Sequence, residues 1–247
     1  MIRWITAFAL ALALTLTAFG QEQAAGPQPK SQEELDALIA VQSEADPQTK
    51  LDLSQKFLQD FPDTEFKEFA NYMSILSAMQ LNDYDNMLIF GERTLEENPD
   101  NVGVLIQLAS AIPLRTREFD LDKEEKLGKA EDYAKRSMTL IPNMPKNDPN
   151  MLDDQWLLVK KDFMSQANEA LGMVSLKREN HDEAIDYLMK ALNLAGQQSG
   201  QTFYFLADAY QKSGKKDEAM NAIDKAAAAG DFSPDMIGAL KGKISAM

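Results

Sequence analysis

Cysteine is missing from all 247 residues, and histidine occurs once, at position 181. Without thiols there is no cysteine nucleophile, no disulfide, no iron–sulfur cluster and no Cys/His zinc site. One histidine cannot build a multi-histidine metal site, and any Ser/His/Asp arrangement would have to use His181. Positive charge is also scarce: Lys plus Arg number 25 against 39 Asp plus Glu, a formal net charge of −14. Phosphate affinity comes from clustered Lys and Arg, so this balance argues against a nucleic-acid partner. No Walker A loop, no G-x-G-x-x-G and no H-E-x-x-H is present, so the sequence points to no cofactor. What remains is ordinary: 45% hydrophobic and 26% charged residues, the composition of a folded globular protein.

The one long apolar run lies at the start. Ile5 to Phe19, ITAFALALALTLTAF, follows Arg3 and carries no charge. It is shorter than the roughly 20 residues a spanning helix needs. It ends at Ala18-Phe19-Gly20, with small residues at the positions a signal peptidase reads. Residues 1–20 therefore predict an export signal cleaved after Gly20, with an uncleaved anchor as the alternative. Cleavage would remove Arg3 and take the charge from −14 to −15. No cysteine stands at the cleavage site to carry a bacterial lipid anchor. A cysteine-free chain also suits an oxidising compartment, so the expected location is periplasmic or secreted, without stable membrane insertion after cleavage. Residues 21–30, with one Gly and two Pro, predict a flexible linker.

From Ser31 the pattern is helical almost throughout. Ser31-Gln32-Glu33-Glu34 is a capping-box start in which serine accepts a free backbone N–H and the glutamate reaches back. Leu35, Leu38 and Ile39 follow at helical spacing. Residues 165–198 can be laid beneath 200–233. Leu171-Gly172 then matches Leu206-Ala207, Asp182-Glu183-Ala184-Ile185 matches Asp217-Glu218-Ala219-Met220, and Ala191 matches Ala226. The offset is close to the roughly 34 residues of one helix–turn–helix unit. Small residues at 172, 184, 191, 207, 219 and 226 would let two helices approach, while Leu171, Leu188, Phe203, Leu206 and Tyr210 fill the space between. Gly214 suits a left-handed turn. One such unit cannot bury its apolar side alone, so neighbours must stack.

These segments resemble tetratricopeptide repeats (TPRs). The resemblance implies an all-α, TPR-like α-solenoid of antiparallel helix pairs over residues 31–247. Its repeats would lie at about 31–63, 68–101, 102–143, 165–198 and 200–233, with a capping helix over 234–247. The copy at 102–143 departs from the family by a longer inter-helix segment, Arg115 to Leu127. Asn147-Asp148-Pro149-Asn150 reads as a turn and helix-start cluster. A helix of about 40 Å should then run from Met151 to Leu176, its first turns over the preceding repeat. Met236, Ile237, Leu240 and Ile244 form the apolar side of the cap. Phe57-x-x-x-Phe61-Pro62-Asp63-Thr64 is also similar to the N-terminal hairpins of TPR lipoproteins of outer-membrane protein assembly, from which this sequence departs by lacking the lipidation cysteine.

The family's usual binding surface is a concave groove lined by the first helices. Carried over position by position, the groove would present Tyr72, Met73 and Leu76, then Ile106 and Gln107, then Glu169, Met173 and Leu176, then Tyr204, Phe205 and Asp208. The set is apolar and mildly acidic, which suits an extended or helical peptide with apolar anchors and basic flanks. The alternative is that neighbouring helices cover these residues as core. Glu169 and Met173 stand where chaperone-binding TPRs carry a carboxylate clamp, so that mode is absent.

Candidate chemistry is thin. His181 sits where TPR helices place a packing aromatic. Asp120, Asp122, Glu124 and Glu131 echo a calcium loop, but Glu125 occupies the required glycine position; Asp120 or Asp122 reads instead as an N-cap. The thirteen methionines fall at core positions and read as gap-fillers. The sequence thus predicts a non-catalytic exported scaffold that binds another protein or peptide. The alternatives are an envelope-assembly subunit, a hydrolase using groove carboxylates, or an array that only self-associates.

Overall fold

The computed structural model describes residues 27–146, 148 and 150–247. The expected signal at 1–20, residues 21–26 of the linker, and two members of the Asn147–Asn150 cluster lie outside the described residues. Among the described residues there are eleven α-helices and no strand. In chain order they are α1 (Gln32–Ser43), α2 (Pro47–Asp60), α3 (Lys67–Leu81), α4 (Tyr84–Glu97), α5 (Val102–Arg115), α6 (Lys123–Leu140), α7 (Asp153–Lys177), α8 (His181–Leu194), α9 (Gly200–Lys212), α10 (Lys216–Ala229) and α11 (Pro234–Ser245). A 3-10 turn, Ile141–Asn143, follows α6. Each odd-numbered helix up to α9 packs on its successor as a hairpin. Neighbouring hairpins stack mainly by seating the second helix of one against the first of the next, except that α7 lies against both α5 and α6.

Local sequence explains where the helices start. Asp46, Asp83 and Asn101 each accept the backbone N–H three residues on, at 2.8, 3.1 and 3.0 Å. This supplies one of the bonds a helix start lacks. Ser31 does the same for Glu34 N–H at 3.1 Å. The second half of the expected capping box is redirected. Glu34 accepts from Lys30 N–H at 2.6 Å, one residue upstream of the box position, and also from the Thr64 hydroxyl in the segment that leads from α2 into the next hairpin. Its carboxylate is buried because it ties two units together. Asp122 holds the N-cap position of α6 but makes no capping bond; its carboxylate pairs with Lys126 at 2.9 Å instead.

The hairpin interiors are close-packed. Ala184, Ala191, Ala207, Ala219 and Ala226 are fully buried, and Leu171, Leu188, Phe203 and Leu206 are buried around them. At Gly172 a Cβ would stand 2.6 Å from Leu188 Cγ, so the α7–α8 approach requires glycine. Gly214 turns α9 into α10 at φ +74°, and Glu179 makes the corresponding turn between α7 and α8 at φ +62°.

The long α7 reaches back over the preceding hairpin. Trp156 Nε1 donates to Met144 O at 3.2 Å and Lys160 Nζ to Pro142 O at 2.7 Å. Phe163 and Met164 join the cluster of Val102, Ile106, Ile141 and Ala167. At the other end Ile237, Leu240 and Ile244 of α11 close the core of α9 and α10, while Met236, expected on the same side, is exposed.

Candidate peptide groove

Of the residues expected in the groove, Ile106, Met173 and Leu176 are core. They are 2%, 2% and 7% exposed. Ile106 is covered by the 3-10 turn and the middle of α7; Met173 lies among Ala109, Ala134 and Leu171, with Phe205 packed against them; Leu176 belongs to the core with α8 and α9. These three offer no surface to a ligand, so the candidate set divides.

Tyr72, Met73 and Leu76 on α3 are half-buried, and so are Glu169, Tyr204, Phe205 and Asp208 on α7 and α9. Burial raises the Tyr72 and Tyr204 hydroxyls above their ordinary range, with Asp208 adding to the effect on Tyr204. Tyr204 meets Phe205 edge-on at 5.7 Å between ring centroids and Phe232 at 4.9 Å. Phe232, in the turn after α10, is absent from the sequence-derived set. The repeat alignment puts Phe232 opposite Gln197, a match with no aromatic signal to point to it.

The two acids are already engaged. Glu169 accepts from Gln201 Nε2 at 2.7 Å and from the Thr202 hydroxyl at 2.5 Å, linking α7 to the first turn of α9. Its pKa lies above the ordinary carboxylate value because burial disfavours the charge; the two hydrogen bonds oppose this and nearby Asp231 adds to it. Asp208 pairs with Lys212 at 2.9 Å. Gln107 is half-buried, and its Oε1 has no hydrogen-bond partner among the described residues.

Elsewhere the side chains do not assemble chemistry. His181 opens α8, half-buried in a polar hollow with Asp182, Glu183, Ser213 and Lys215. Its Nδ1 and the Ser213 hydroxyl both lack a hydrogen-bond partner among the described residues, so they do not form a Ser–His pair. Asp182 is taken by Lys215 at 2.9 Å. Glu124 and Glu131 both bind Arg178, at 3.0 and 2.5 Å, while Asp120 faces Lys126 at 3.2 Å. The carboxylates of the calcium-like spacing are therefore spread over cations rather than converging. Among the described residues no group of three or more His, Asp or Glu could hold a metal ion, and no helix is long and apolar enough to cross a membrane.

Comparison with known proteins places this geometry. Residues 165–198 and 200–229 match the tetratricopeptide repeat family. No curated protein matches the chain. By structure it is similar to TTC0263, a thermophilic TPR protein of Thermus thermophilus, with a TM-score of 0.56 and 18% identity over 87% of this chain and 98% of that one. It is similar to MamA, from residue 41 to its end, of Desulfovibrio magneticus RS-1, with a TM-score of 0.57 and 13% identity over 81% of this chain and 96% of that one. PilW, a widely conserved type IV pilus biogenesis factor, gives a TM-score of 0.57 and 15% identity over 87% of this chain and 89% of that one. At these identities the likeness is one of fold. TPR stacks are scaffolds whose curvature creates extended binding surfaces. The chain is thus an all-α, TPR-like solenoid in which residues 165–198 and 200–229 are tetratricopeptide repeats.

Proposed function

We propose that this protein is an exported, non-catalytic scaffold that holds a protein or peptide against the face formed by its first helices. The observation that carries the reading is the aromatic group Tyr204, Phe205 and Phe232. Three rings stand half-exposed together, with Tyr204 in contact with both Phe205 and Phe232. Aromatic side chains of this kind dominate binding energy at protein interfaces. Tyr72, Met73 and Leu76 on α3 extend the same type of surface. The overall charge of −14 favours basic flanks on the partner. Glu169 and Asp208, already bonded within the chain, do not supply that preference alone. The apolar run 5–19 and the small residues Ala18 and Gly20 that close it support export.

A pull-down from envelope extract compares wild type with Tyr204→Ala/Phe205→Ala. Loss of partners from the variant is expected. Unchanged partners would remove this face from the reading.

The sharing of this fold by a type IV pilus biogenesis factor supports a second reading, a subunit of an envelope-assembly complex. Co-purification with a β-barrel membrane protein is the expected result for that role, and purely monomeric behaviour in envelope extract counts against it.

A further inference from the structure

Two carboxylates hold the start of α9, one from earlier in the chain and one from later. Glu169 of α7 accepts from Gln201 Nε2 and from the Thr202 hydroxyl. Asp231, in the turn that joins α10 to α11, accepts from Gly200 N–H at 2.8 Å. A Cβ at Gly200 would collide with Asp231 Oδ1 and stand 3.0 Å from Ala226 O, so the turn presses this closely on α9 only because residue 200 is glycine. Gly230, at φ +72°, brings the chain round to that contact. Phe232 is the residue after Asp231 and sits on Tyr204 at 4.9 Å between ring centroids. The Asp231 tie and the third ring of the aromatic face are therefore one piece of backbone.

These two carboxylates share one helix start without a cation between them. Among the described residues neither has a Lys, Arg or His partner. Burial and the charge of Asp231 both favour the neutral form of Glu169. The other elements packed on α7 are α5, α6, α8 and the 3-10 turn, and none adds a charged group that bears on Glu169. Asp208, further along α9, is paired with Lys212 and acts on Tyr204 instead. The two carboxylates differ in freedom to move. Glu169 stands on α7 between Ala167 and Ala170, both fully buried, whereas Asp231 is exposed on a turn. Repulsion between them is relieved where the chain yields, at Asp231.

We propose that the charge state of Glu169 sets whether the face of Tyr204, Phe205 and Phe232 is assembled. With Glu169 neutral, Asp231 keeps Gly200 N–H and Phe232 stays on Tyr204. Ionisation of Glu169 puts two like charges at one helix start; Asp231 then gives up Gly200 N–H to water, and Phe232 leaves with it. The Thr202 bond survives in both states, since a hydroxyl donates to a carboxylate and accepts from a carboxylic acid. The change is thus carried by charge and not by loss of the tie between α7 and α9. Because the Glu169 pKa is raised, the assembled face is complete at low pH and is lost as pH rises through the raised value. The Tyr204 hydroxyl is itself raised above its ordinary range and stays protonated meanwhile. As control over partner binding, this rests on the reading of the aromatic face given above; the ring movement itself does not.

NMR of the purified full chain, with protonated Tyr and Phe rings in a deuterated background, tests this without any partner. Magnetisation transfer between the Tyr204 and Phe232 rings is compared at about pH 4 and about pH 9. In wild type it should fall at least about twofold at the higher pH. The Tyr204–Phe205 contact, between neighbours on α9, is the internal reference and should hold. Glu169→Gln and Asp231→Asn each keep hydrogen-bonding groups and remove one of the two charges, so in both the Phe232 contact should persist across the range. A wild-type contact that ignores pH would overturn the proposal. So would a wild-type loss that recurs in either variant, because repulsion between these two carboxylates would not be its cause. The pull-down fails independently: unchanged partners there, with the ring contact still lost at high pH, would keep the switch and remove its link to binding.

Discussion

At Gly172 one missing methyl group sets the distance between two helices. A Cβ there would overlap the Leu188 side chain, which is fully buried. Gly172→Ala is therefore expected to destabilise the protein by about 1–3 kcal/mol, measured by denaturant unfolding. The following repeat shows the compensation: Ala207 stands at the equivalent place and Ile223 replaces the leucine. Adding Leu188→Ile should recover part of the loss, and no recovery would mean that the two contacts are not equivalent. Glu179 and Gly214 form a second matched pair. Both hold a left-handed backbone, which costs a residue with a Cβ about 1 kcal/mol more than glycine. Gly214→Ala meets no atom within 4 Å, so its expected loss of about 1 kcal/mol reports the backbone alone. Glu179→Gly should shift thermal unfolding upward. The Gly214 turn was legible in the sequence because glycine announces it. The turn at Glu179 was not, since glutamate carries no turn signal of its own.

Between elements, polar ties recur at the period of the repeat. Glu34 meets Thr64, Glu68 accepts from Asn98 and Asn101 at 2.9 and 2.8 Å, and Asp162 accepts from Gly196 N–H at 2.8 Å. Each carboxylate thus reaches a segment about one unit further along the chain. Glu68→Ala should cost about 1–2 kcal/mol, because it strands two amides. A double-mutant cycle with Asn98→Ala should show coupling, and strict additivity would count against the tie. Glu169 works under the opposite electrostatic balance. Its folded pKa is raised, so its contribution is fully present below the ordinary carboxylate range and is lost as pH rises through the raised value. Glu169→Gln keeps groups able to bond Gln201 and Thr202 and removes that titration. The variant should lose less stability than wild type between acid and neutral pH, as followed by melting temperature against pH.

Helix existence was readable at this scale from caps such as Ser31 and from the 3.6-residue pattern. Burial by a neighbour was not. Ile106 sits on an apolar helix side in sequence, but what covers it is the 3-10 turn and the middle of α7, which lie far along the chain. Glu34 likewise reads as a local cap and turns out to serve Thr64 in the segment between α2 and α3.

For the whole molecule, the absences that open the sequence narrow the function more than any motif does. In the proposed reading, this cysteine-free, acidic stack with one histidine recognises its partner by surface shape, charge and aromatic side chains. Tyr204 and Phe205 were legible as exposed candidates because their repeat is the best matched. Phe232 came only from the folded arrangement, since no helical period marks a loop. The central claim is that a partner protein binds at the aromatic face of α9. A photo-crosslinking amino acid placed at position 204 in living cells tests it directly, with the exposed Asp132 on α6 as the control position. One protein captured from position 204 and not from position 132 is the expected result; no adduct at 204, or the same adducts from both positions, would contradict it.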